Sequence, residues 1–474
     1  MKIRNIYKFI PIVLIFLSSC TIFKQSVREA STNIPASYGT STDTNSIANV
    51  QWRKYFNDPY LIALIDTALK NNQELNIMLQ EIEMRKNEIR ARKGEYLPSV
   101  NLGAGAGMEK SGLYTRYGAV DEQLSIKDGK PFPEPFGDFK VAALSTWEVD
   151  IWRKLRNAKD AAVKRYLAGI EGRNFMVTQL VSEIAETYYE LLAYDNFLKT
   201  INENIVIQSN ALNSVKLLKE NAKVTQLAVN RFEAQLLKTK NLQYEVKQKI
   251  TEAENRINFL TARFPLKIER STNAFLDIQV DSLQTGIPAQ LLLNRPDLKQ
   301  AELELLAAKL DVKVAKANFY PSLGISAGIG YNAFNPAFLV NPQSLIYNLA
   351  GDLMSPLINR NAIKAAYFSA NAQQLQSVIN YEKVILNAYV DVQNQMAKMK
   401  NYSESYAVKS EEVRILNQSI GIANSLFNSA RADYVEVLLT QEEALEAKLE
   451  LIEVKTKLLQ GKVSAYRALG GGWR

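Results

Sequence analysis

The chain has 474 residues, 47% of them hydrophobic and 22% charged, which is typical of an ordered protein and excludes wholesale disorder. Its 57 Lys and Arg exceed its 49 Asp and Glu, but no compact basic patch interleaved with aromatic residues predicts nucleic-acid binding. With no histidine and one cysteine, the chain lacks the residues for His-based catalysis, a thiol zinc site or an internal disulfide, so we expect no enzyme, no metal site and no cofactor.

The amino terminus has the pattern of a secretory signal peptide. Lys2, Arg4 and Lys8 precede a short apolar run, residues 9–17, which is too short to span a membrane as a helix. The run is followed by Ser18, Ser19 and Cys20, which resembles a bacterial lipobox. We expect residues 1–19 to be removed and Cys20 to carry a diacylglyceryl thioether and an amide-linked acyl chain of the palmitate type. The alternative is an ordinary signal peptide with a chance cysteine.

Residues 20–50 form a polar segment between this signal and the folded region. Residues 21–50 are rich in Ser, Thr and Asn and show little hydrophobic periodicity. The composition predicts an extended, lipid-attached tether.

The remainder of the chain reads as two repeats, 51–270 and 271–474. Residues 95–100 (EYLPSV) match residues 318–323 (NFYPSL), so that Pro98 and Pro321 lie 223 positions apart. Further along, Leu155 and Ile363 match at a spacing of 208. The first repeat therefore carries 15 extra residues, which we place in a loop between its strands.

Each repeat contains one predicted pair of β-strands, at about 97–109 and 138–150 and at about 320–332 and 344–355. Leu102, Ala104, Ala106 and Met108 alternate with small or polar residues, which indicates one apolar and one polar face. Runs of about 10 residues fit tilted transmembrane strands. Two soluble hairpins are the alternative interpretation.

A long helical hairpin follows each strand pair, at 156–260 and at 364–469. No proline occurs between Arg156 and Ala222 or between Lys364 and Ala430, and 67 helical residues would extend for about 100 Å. Apolar residues at heptad-like spacing predict coiled-coil packing. The predicted fold class is therefore mixed α+β: a coiled-coil α-helical barrel combined with a transmembrane β-barrel.

Four strands cannot close a barrel, and an open sheet edge in lipid leaves backbone groups unpaired. Strands that span a membrane therefore require the chain to oligomerise. Two, three or four copies all give a ring of eight or more strands.

Four stretches of the sequence stand out as motifs: residues 52–59 (WRKYFNDP), 147–152 (WEVDIW), 291–298 (LLLNRPDL) and 466–473 (YRALGGGW). In this order they resemble TolC-type outer membrane efflux channels, specifically the lipoprotein branch that serves RND pumps. On residue chemistry alone, Arg295-Pro296-Asp297 predicts a helix start, since proline suits the first turn and an acid suits the positive end of the helix.

The resemblance implies a homotrimer with a 12-stranded barrel in the outer membrane and a 12-helix tunnel in the periplasm. It further implies a periplasmic adaptor (membrane fusion) protein and an inner-membrane RND transporter as partners. The chain itself is then a passive conduit for small molecules. A type I protein-secretion channel and a non-conducting, lipid-anchored coiled-coil scaffold are the alternatives.

Under this resemblance the two helix turns form the periplasmic gate. Glu436 matches a position where the family places a gate carboxylate, and Asp433 and Arg431 lie beside it. Ala222 and Ala430 replace glycines that usually open the turns. The candidates for adaptor docking are Leu227, Val229 and Val435. Solvated acids near a helix start and ordinary coiled-coil packing are the respective alternatives.

Overall fold

The computed structural model describes residues 28–38, 45–127, 129–271, 275–280, 284–429 and 431–474. The predicted signal peptide, Cys20 and Ala430 lie outside these residues. The helices in chain order are α1 Trp52–Tyr55, α2 Pro59–Asn71, α3 Gln73–Glu95, α4 Arg116–Gln123, α5 Lys154–Glu220, α6 Gln226–Leu260, α7 Leu291–Asn294, α8 Pro296–Ala317, α9 Asn361–Asn428 and α10 Tyr434–Ala468. The strands are β1 Ser99–Glu109, β2 Ser125–Lys127, β3 Lys130–Pro131, β4 Phe136–Val149, β5 Ser322–Ala333 and β6 Leu345–Met354.

Two very long helices dominate the molecule. Helix α5 has 67 residues and α9 has 68, and each is followed after a short turn by a 35-residue return helix, α6 or α10. Each long helix begins two or three residues before its predicted start. For α5 the reason is Asp150, whose carboxylate accepts the backbone N–H groups of Leu155 and Arg156 and so satisfies the exposed first turn. No helix within the described ranges is both long and apolar enough to cross a membrane.

One antiparallel sheet contains β1, β4, β5 and β6 in that spatial order. Ser99 pairs with Thr146 in the first hairpin, Val149 with Leu323 between the hairpins, and Ser322 with Met354 in the second. Strand β1 begins two residues later than predicted, after Pro98, which has no N–H to donate. Both outer strands, β1 and β6, have one edge that no described residue pairs with.

The connection between β1 and β4 contains more structure than the predicted loop. Helix α4 lies within it, and the side chain of Thr115 caps the helix by accepting the N–H of Gly118. A small antiparallel ribbon of β2 and β3 follows. The prolines and glycines of this segment favour a loop, so the sequence did not predict this eight-residue helix.

The hydrophobic core lies where the shorter helices, α2 and α8 among them, pack against the long helices α5 and α9. Ile65 of α2, Ile184 and Tyr188 of α5 and Ile257 of α6 are fully buried in one cluster. Buried residues of α8 and α9, including Leu298 and Val378, form a second cluster. The side chain of Asp58 starts α2, accepts the N–H of Tyr60 at 2.8 Å and also accepts the hydroxyl of Tyr188 at 2.7 Å.

Part of the predicted tether is packed onto the helices. Tyr38 is 2% exposed and stacks on Tyr389 of α9, with ring centroids 5.6 Å apart. Arg28 and the N–H of Ser31 both bind the carboxylate of Glu382. Residues 28–38 therefore contain no helix or strand, but they are attached to α9 and are not a free linker.

The carboxyl terminus folds back onto the start of α8. Gly470 has a φ of 94°, which ends α10, and a Cβ atom at this position would lie 2.7 Å from the carbonyl carbon of Asn294. The indole of Trp473 donates to the carbonyl oxygen of Asn294 at 3.1 Å. Pro296 occupies the first turn of α8, as predicted. The tail after α10 is thus a packed element.

Candidate functional site at the hairpin turns and sheet edges

The turn between α5 and α6 closes the first helical hairpin. Ala222 has a φ of 55°, in the left-handed region that favours glycine. The N–H of Lys223 donates to the carbonyl of Leu218 at 2.9 Å, and that of Ala222 donates to Lys219 at 2.8 Å. This is a Schellman-type helix end, and Thr225 then caps the start of α6. The chain therefore adopts the glycine conformation at Ala222 without a glycine.

The second turn contains the three gate candidates. Asp433 is the N-cap residue of α10, but its side chain makes no capping hydrogen bond. Glu436 lies in the first turn of the same helix, and Arg431 precedes both. All three are exposed, and none has an ion-pair partner among the described residues. The structure therefore leaves two carboxylates available at this turn.

A small apolar cluster holds the two turns side by side. Its buried members are Leu212 and Val215 of α5 and Ala228, Val229, Phe232 and Leu236 of α6. Tyr434 of α10 packs against it, with its ring 6.5 Å from that of Phe232. Beyond the cluster, Lys238 of α6 binds Glu442 of α10 at 2.8 Å. We call the apolar residues, Leu212, Val215, Ala228, Val229, Phe232, Leu236 and Tyr434, the tip cluster. They join the two hairpins, and no feature of the sequence had indicated this contact.

The three docking candidates differ in their environment. Leu227 is 57% exposed and open to a partner, and Val435 is half-buried. Val229 is only 4% exposed because it fills the tip cluster, so its side chain is better assigned to packing between α5 and α6. Leu439, which is also exposed, adds an apolar residue to the same end of the molecule.

The outer strands of the sheet expose apolar side chains. Leu102 of β1 is 80% exposed, and Tyr347 and Leu349 of β6 are 81% and 77% exposed. Every residue of both strands is exposed, whereas β4 and β5 between them are partly covered. Strands β1 and β6 thus combine one unpaired edge among the described residues with exposed apolar side chains.

Aromatic residues brace the sheet at both ends. Trp152 donates its indole N–H to the carbonyl of Pro321 at 2.7 Å and stacks on Tyr320. At the opposite end, the ring of Phe334 contacts those of Phe136 and Phe338. Phe136, Phe334 and Phe338 therefore form one aromatic cluster at this end of the sheet. Tyr114, Tyr117, Phe139 and Tyr347 lie on or near the same strands and loops.

No described group of three or more Cys, Asp or Glu side chains is arranged to hold a metal ion. What the geometry offers is a long two-hairpin column, a sheet with two open edges and an acidic turn.

Comparison with known proteins identifies the class. A sequence model of the Outer membrane efflux protein family matches residues 64–263 and 287–471, which is most of the chain. The chain belongs to this family. It is accordingly an outer membrane channel component of efflux systems and not an enzyme.

Relatives of full length carry related names. The chain is 25% identical to the solvent efflux pump outer membrane protein SrpC of Pseudomonas putida, over 100% of this chain and 99% of SrpC. It is 25% identical to the cation efflux system protein CusC of Escherichia coli O6:H1, over 98% and 99%. It is 24% identical to the probable outer membrane lipoprotein SilC of Salmonella typhimurium, over 98% and 99%.

Solved structures share the fold. A crystal structure of CusC superposes with a TM-score of 0.84 at 22% identity and covers 94% of this chain and 99% of its own. The open state of the Neisseria gonorrhoeae MtrE outer membrane channel gives 0.83 at 20% identity, with 96% and 99% covered. The mixed fold of long helices and a small sheet is therefore that of TolC-like channels.

Proposed function

We propose that three copies of this chain form one channel, in which the sheets close a single barrel across the outer membrane. The observation that carries this proposal is the pair of unpaired edges on β1 and β6 of a four-stranded sheet. In hydrocarbon each unpaired backbone group costs several kcal/mol, so the edges must meet partners. A second copy offers the complementary edge, because β6 and β1 lie at opposite sides of the same sheet.

The helices supply a second line of support for assembly. Leu375, Ile379, Leu386 and Val390 of α9 are exposed and recur at spacings of four, seven and four residues, which places them on one face. An apolar stripe on a helix that lies in water requires a cover. Neighbouring copies would cover it in a closed helical tunnel. Three copies would give 12 strands and, counting α5, α6, α9 and α10 of each copy, 12 tunnel helices, as the resemblance implies.

The helical column, about 100 Å long, then extends into the periplasm, with the tip cluster at its far end. Cys20 would carry the lipid anchor at the outer membrane, in keeping with the lipoprotein name of SilC. A periplasmic adaptor would dock at the exposed Leu227 and Leu439. An inner-membrane RND transporter would supply the energy, and this chain would remain a passive conduit.

We assign the selection of cargo to the transporter and the adaptor. Relatives of equal identity are named for solvents and for cations, and both are similar to this chain over nearly its whole length. The domain division into 51–270 and 271–474 is part of the same proposal, with each repeat supplying one strand pair and one helical hairpin.

The gate proposal concerns Glu436 and, secondarily, Asp433 and Arg431. Three copies would bring three Glu436 carboxylates around one axis, where like charges repel, attract cations and retain water. Their exposure and lack of described ion-pair partners support this role, since nothing within the chain neutralises them.

The native mass of the detergent-extracted protein tests the assembly. Light scattering with the detergent mass subtracted should give about three mature chains per particle, and the particle should conduct ions in planar bilayers. A single chain per particle would contradict the shared barrel and would favour a lipid-anchored scaffold.

A further inference from the structure

The pairing within the two strand hairpins follows the spacing of the sequence repeat. Ser99 pairs with Thr146 in the first hairpin. The repeats match at a spacing of 223 residues before the extra loop and of 208 residues after it. Adding 223 to Ser99 gives Ser322, and adding 208 to Thr146 gives Met354. Ser322 and Met354 are partners in the second hairpin. The two hairpins are therefore equivalent, residue for residue, although their loops differ in length.

The same mapping can be applied to the junction between the hairpins. Here Val141 of β4 pairs with Tyr331 of β5, and Ala142 pairs with Gly330. Adding 208 to Val141 and Ala142 gives their counterparts in the second repeat, Leu349 and Ala350 of β6. Subtracting 223 from Tyr331 and Gly330 gives their counterparts in the first repeat, Met108 and Gly107 of β1. Those four residues lie on the two open edges of the sheet.

We propose that β6 of one copy pairs antiparallel with β1 of the next copy in the register set by the β4–β5 junction. Leu349 then lies opposite Met108 of the next copy, and Ala350 lies opposite its Gly107. This inference rests on the proposed shared barrel but not on the number of copies in it. It specifies the assembly surface, whose partner is a second copy of this chain.

The glycines of the two junctions give independent support. Gly330 has no room for a side chain, because a Cβ atom there would lie 2.5 Å from the Cα of Ala142 on β4. Its counterpart Gly107 has ample room within one chain, where the nearest atom to such a Cβ would be 3.9 Å away. The proposed register supplies the missing neighbour, since Ala350 of another copy would approach Gly107 as Ala142 approaches Gly330.

The distribution of apolar residues along the edge strands agrees with the same register. Ala104, Ala106 and Met108 share one face of β1, and Leu345, Leu349 and Leu353 share one face of β6. Pairing Leu349 with Met108 aligns these apolar faces in the two strands. A shift by one residue would place Met108 opposite Asn348 or Ala350 and would mix the faces.

Disulfide trapping in the full-length channel tests the register. Met108→Cys is combined in turn with Leu345→Cys, Leu349→Cys or Leu353→Cys. The three leucines share one face and are separated by four residues, about 13 Å along a strand, which is beyond disulfide reach. Cys20 is the only native cysteine, so the disulfides that form on oxidation should be mainly those of the engineered pair.

Oxidation of the Leu349→Cys pair should give covalent dimers and higher multimers that disappear on reduction, while the other two pairs stay largely monomeric in denaturing gels. Preferential crosslinking of the Leu345→Cys or Leu353→Cys pair would overturn the register. So would the absence of any crosslink in particles of trimeric mass. Particles of monomeric mass would instead overturn the shared barrel on which the inference rests.

Two single serine variants, compared with each other, provide a second test without cysteine chemistry. Gly107→Ser should reduce the fraction of assembled particles several-fold, because its side chain would meet Ala350 of the next copy. Gly103→Ser is the matched control, since its counterpart in the second repeat is already Ser326. Equal assembly of the two variants would contradict the proposed contact.

Discussion

The guanidinium of Arg295 donates a hydrogen bond to the carbonyl oxygen of Ala468 at 2.8 Å, and so joins the start of α8 to the end of α10. The same side chain binds the carboxylate of Asp297 at 2.7 and 3.0 Å and lies 3.4 Å from that of Asp391. Desolvation by burial lowers the pKa of Arg295, but the hydrogen bonds and negative charges of Asp297 and Asp391 together outweigh it and keep the pKa above its ordinary value. Two of the stretches that resemble the family thus meet at one arginine.

Arg295→Met should strongly destabilise the chain. The side chain of Arg295 is only 10% exposed, and its removal leaves the half-buried carboxylate of Asp297 without the arginine that binds it. We expect a loss of about 3–5 kcal/mol, measured as a lower midpoint of thermal unfolding. Asp391→Asn is the control, because Asp391 is more exposed and farther away, and it should cost less than about 1 kcal/mol. Equal losses in the two variants would show that the buried pair with Asp297 is not the important contact.

Ala222→Gly should stabilise the turn of the first hairpin. Alanine in the left-handed region costs about 1–2 kcal/mol relative to glycine, so the variant should relieve about 1 kcal/mol. Hydrogen exchange at the amides of 217–226 should become slower by several-fold. Ala211→Gly in the interior of α5 should have the opposite effect, since glycine there lowers helix stability by about 1 kcal/mol. Faster exchange in Ala222→Gly would contradict the assigned backbone conformation.

Asp150, which follows the last residue of β4, should confer acid sensitivity on the start of α5. Burial acts to raise its pKa, but hydrogen bonds from the N–H groups of Arg156 and Leu155 and from the Arg156 side chain hold the pKa below the ordinary value of 3.8. A carboxylate whose pKa is lowered on folding stabilises the native state above the unfolded value, and this contribution disappears as the pH falls through the folded value.

Asp150→Asn should therefore lower the unfolding midpoint at pH 7 by an amount that corresponds to about 1 kcal/mol. The difference from the unmodified protein should shrink steadily below about pH 3.8. Asp160→Asn, at an exposed acid farther along α5, serves as the control and should show little difference at either pH. A difference that grows on acidification would reverse the sign of the linkage and refute the capping role.

Glu436→Gln should reduce the preference of reconstituted channels for cations over anions. Removal of the charge leaves the fold intact, because Glu436 is exposed and has no described ion-pair partner. Single-channel conductance and reversal potential in a salt gradient provide the measurement. Glu411→Gln, an acid paired with Arg414 on α9, should leave both quantities unchanged. If Glu436→Gln matches the unmodified channel in conductance and selectivity, the gate proposal for this residue is wrong.

The long elements were the most predictable from the sequence. Proline-free stretches from Arg156 and Lys364 and strict alternation after Pro98 define helices and strands locally, and the observed bounds differ from those predicted by three residues or fewer. Helix α4 was missed because turn residues surround it. The left-handed conformation of Ala222 was also missed, since alanine gives no signal for it.

Contacts between distant segments could not be predicted from single-residue patterns. Tyr38 and Tyr389 are 351 positions apart, and nothing in the polar segment around Tyr38 indicates that it stacks on α9. The tip cluster poses the same difficulty, because Phe232 and Tyr434 each fit an ordinary coiled coil. The gate candidates Arg431, Asp433 and Glu436 were located by resemblance alone, and all three are exposed within one chain.

The β4–β5 junction also affects how the proposed ring of these chains would assemble. If each strand hairpin were a separate polypeptide, every junction in the ring would require a collision between molecules in the membrane. Because β4 and β5 belong to one chain, every second junction forms at an effective concentration fixed by the connecting residues and independent of expression level. Covalent fusion of the two halves would therefore make closure of the proposed ring less sensitive to dilution.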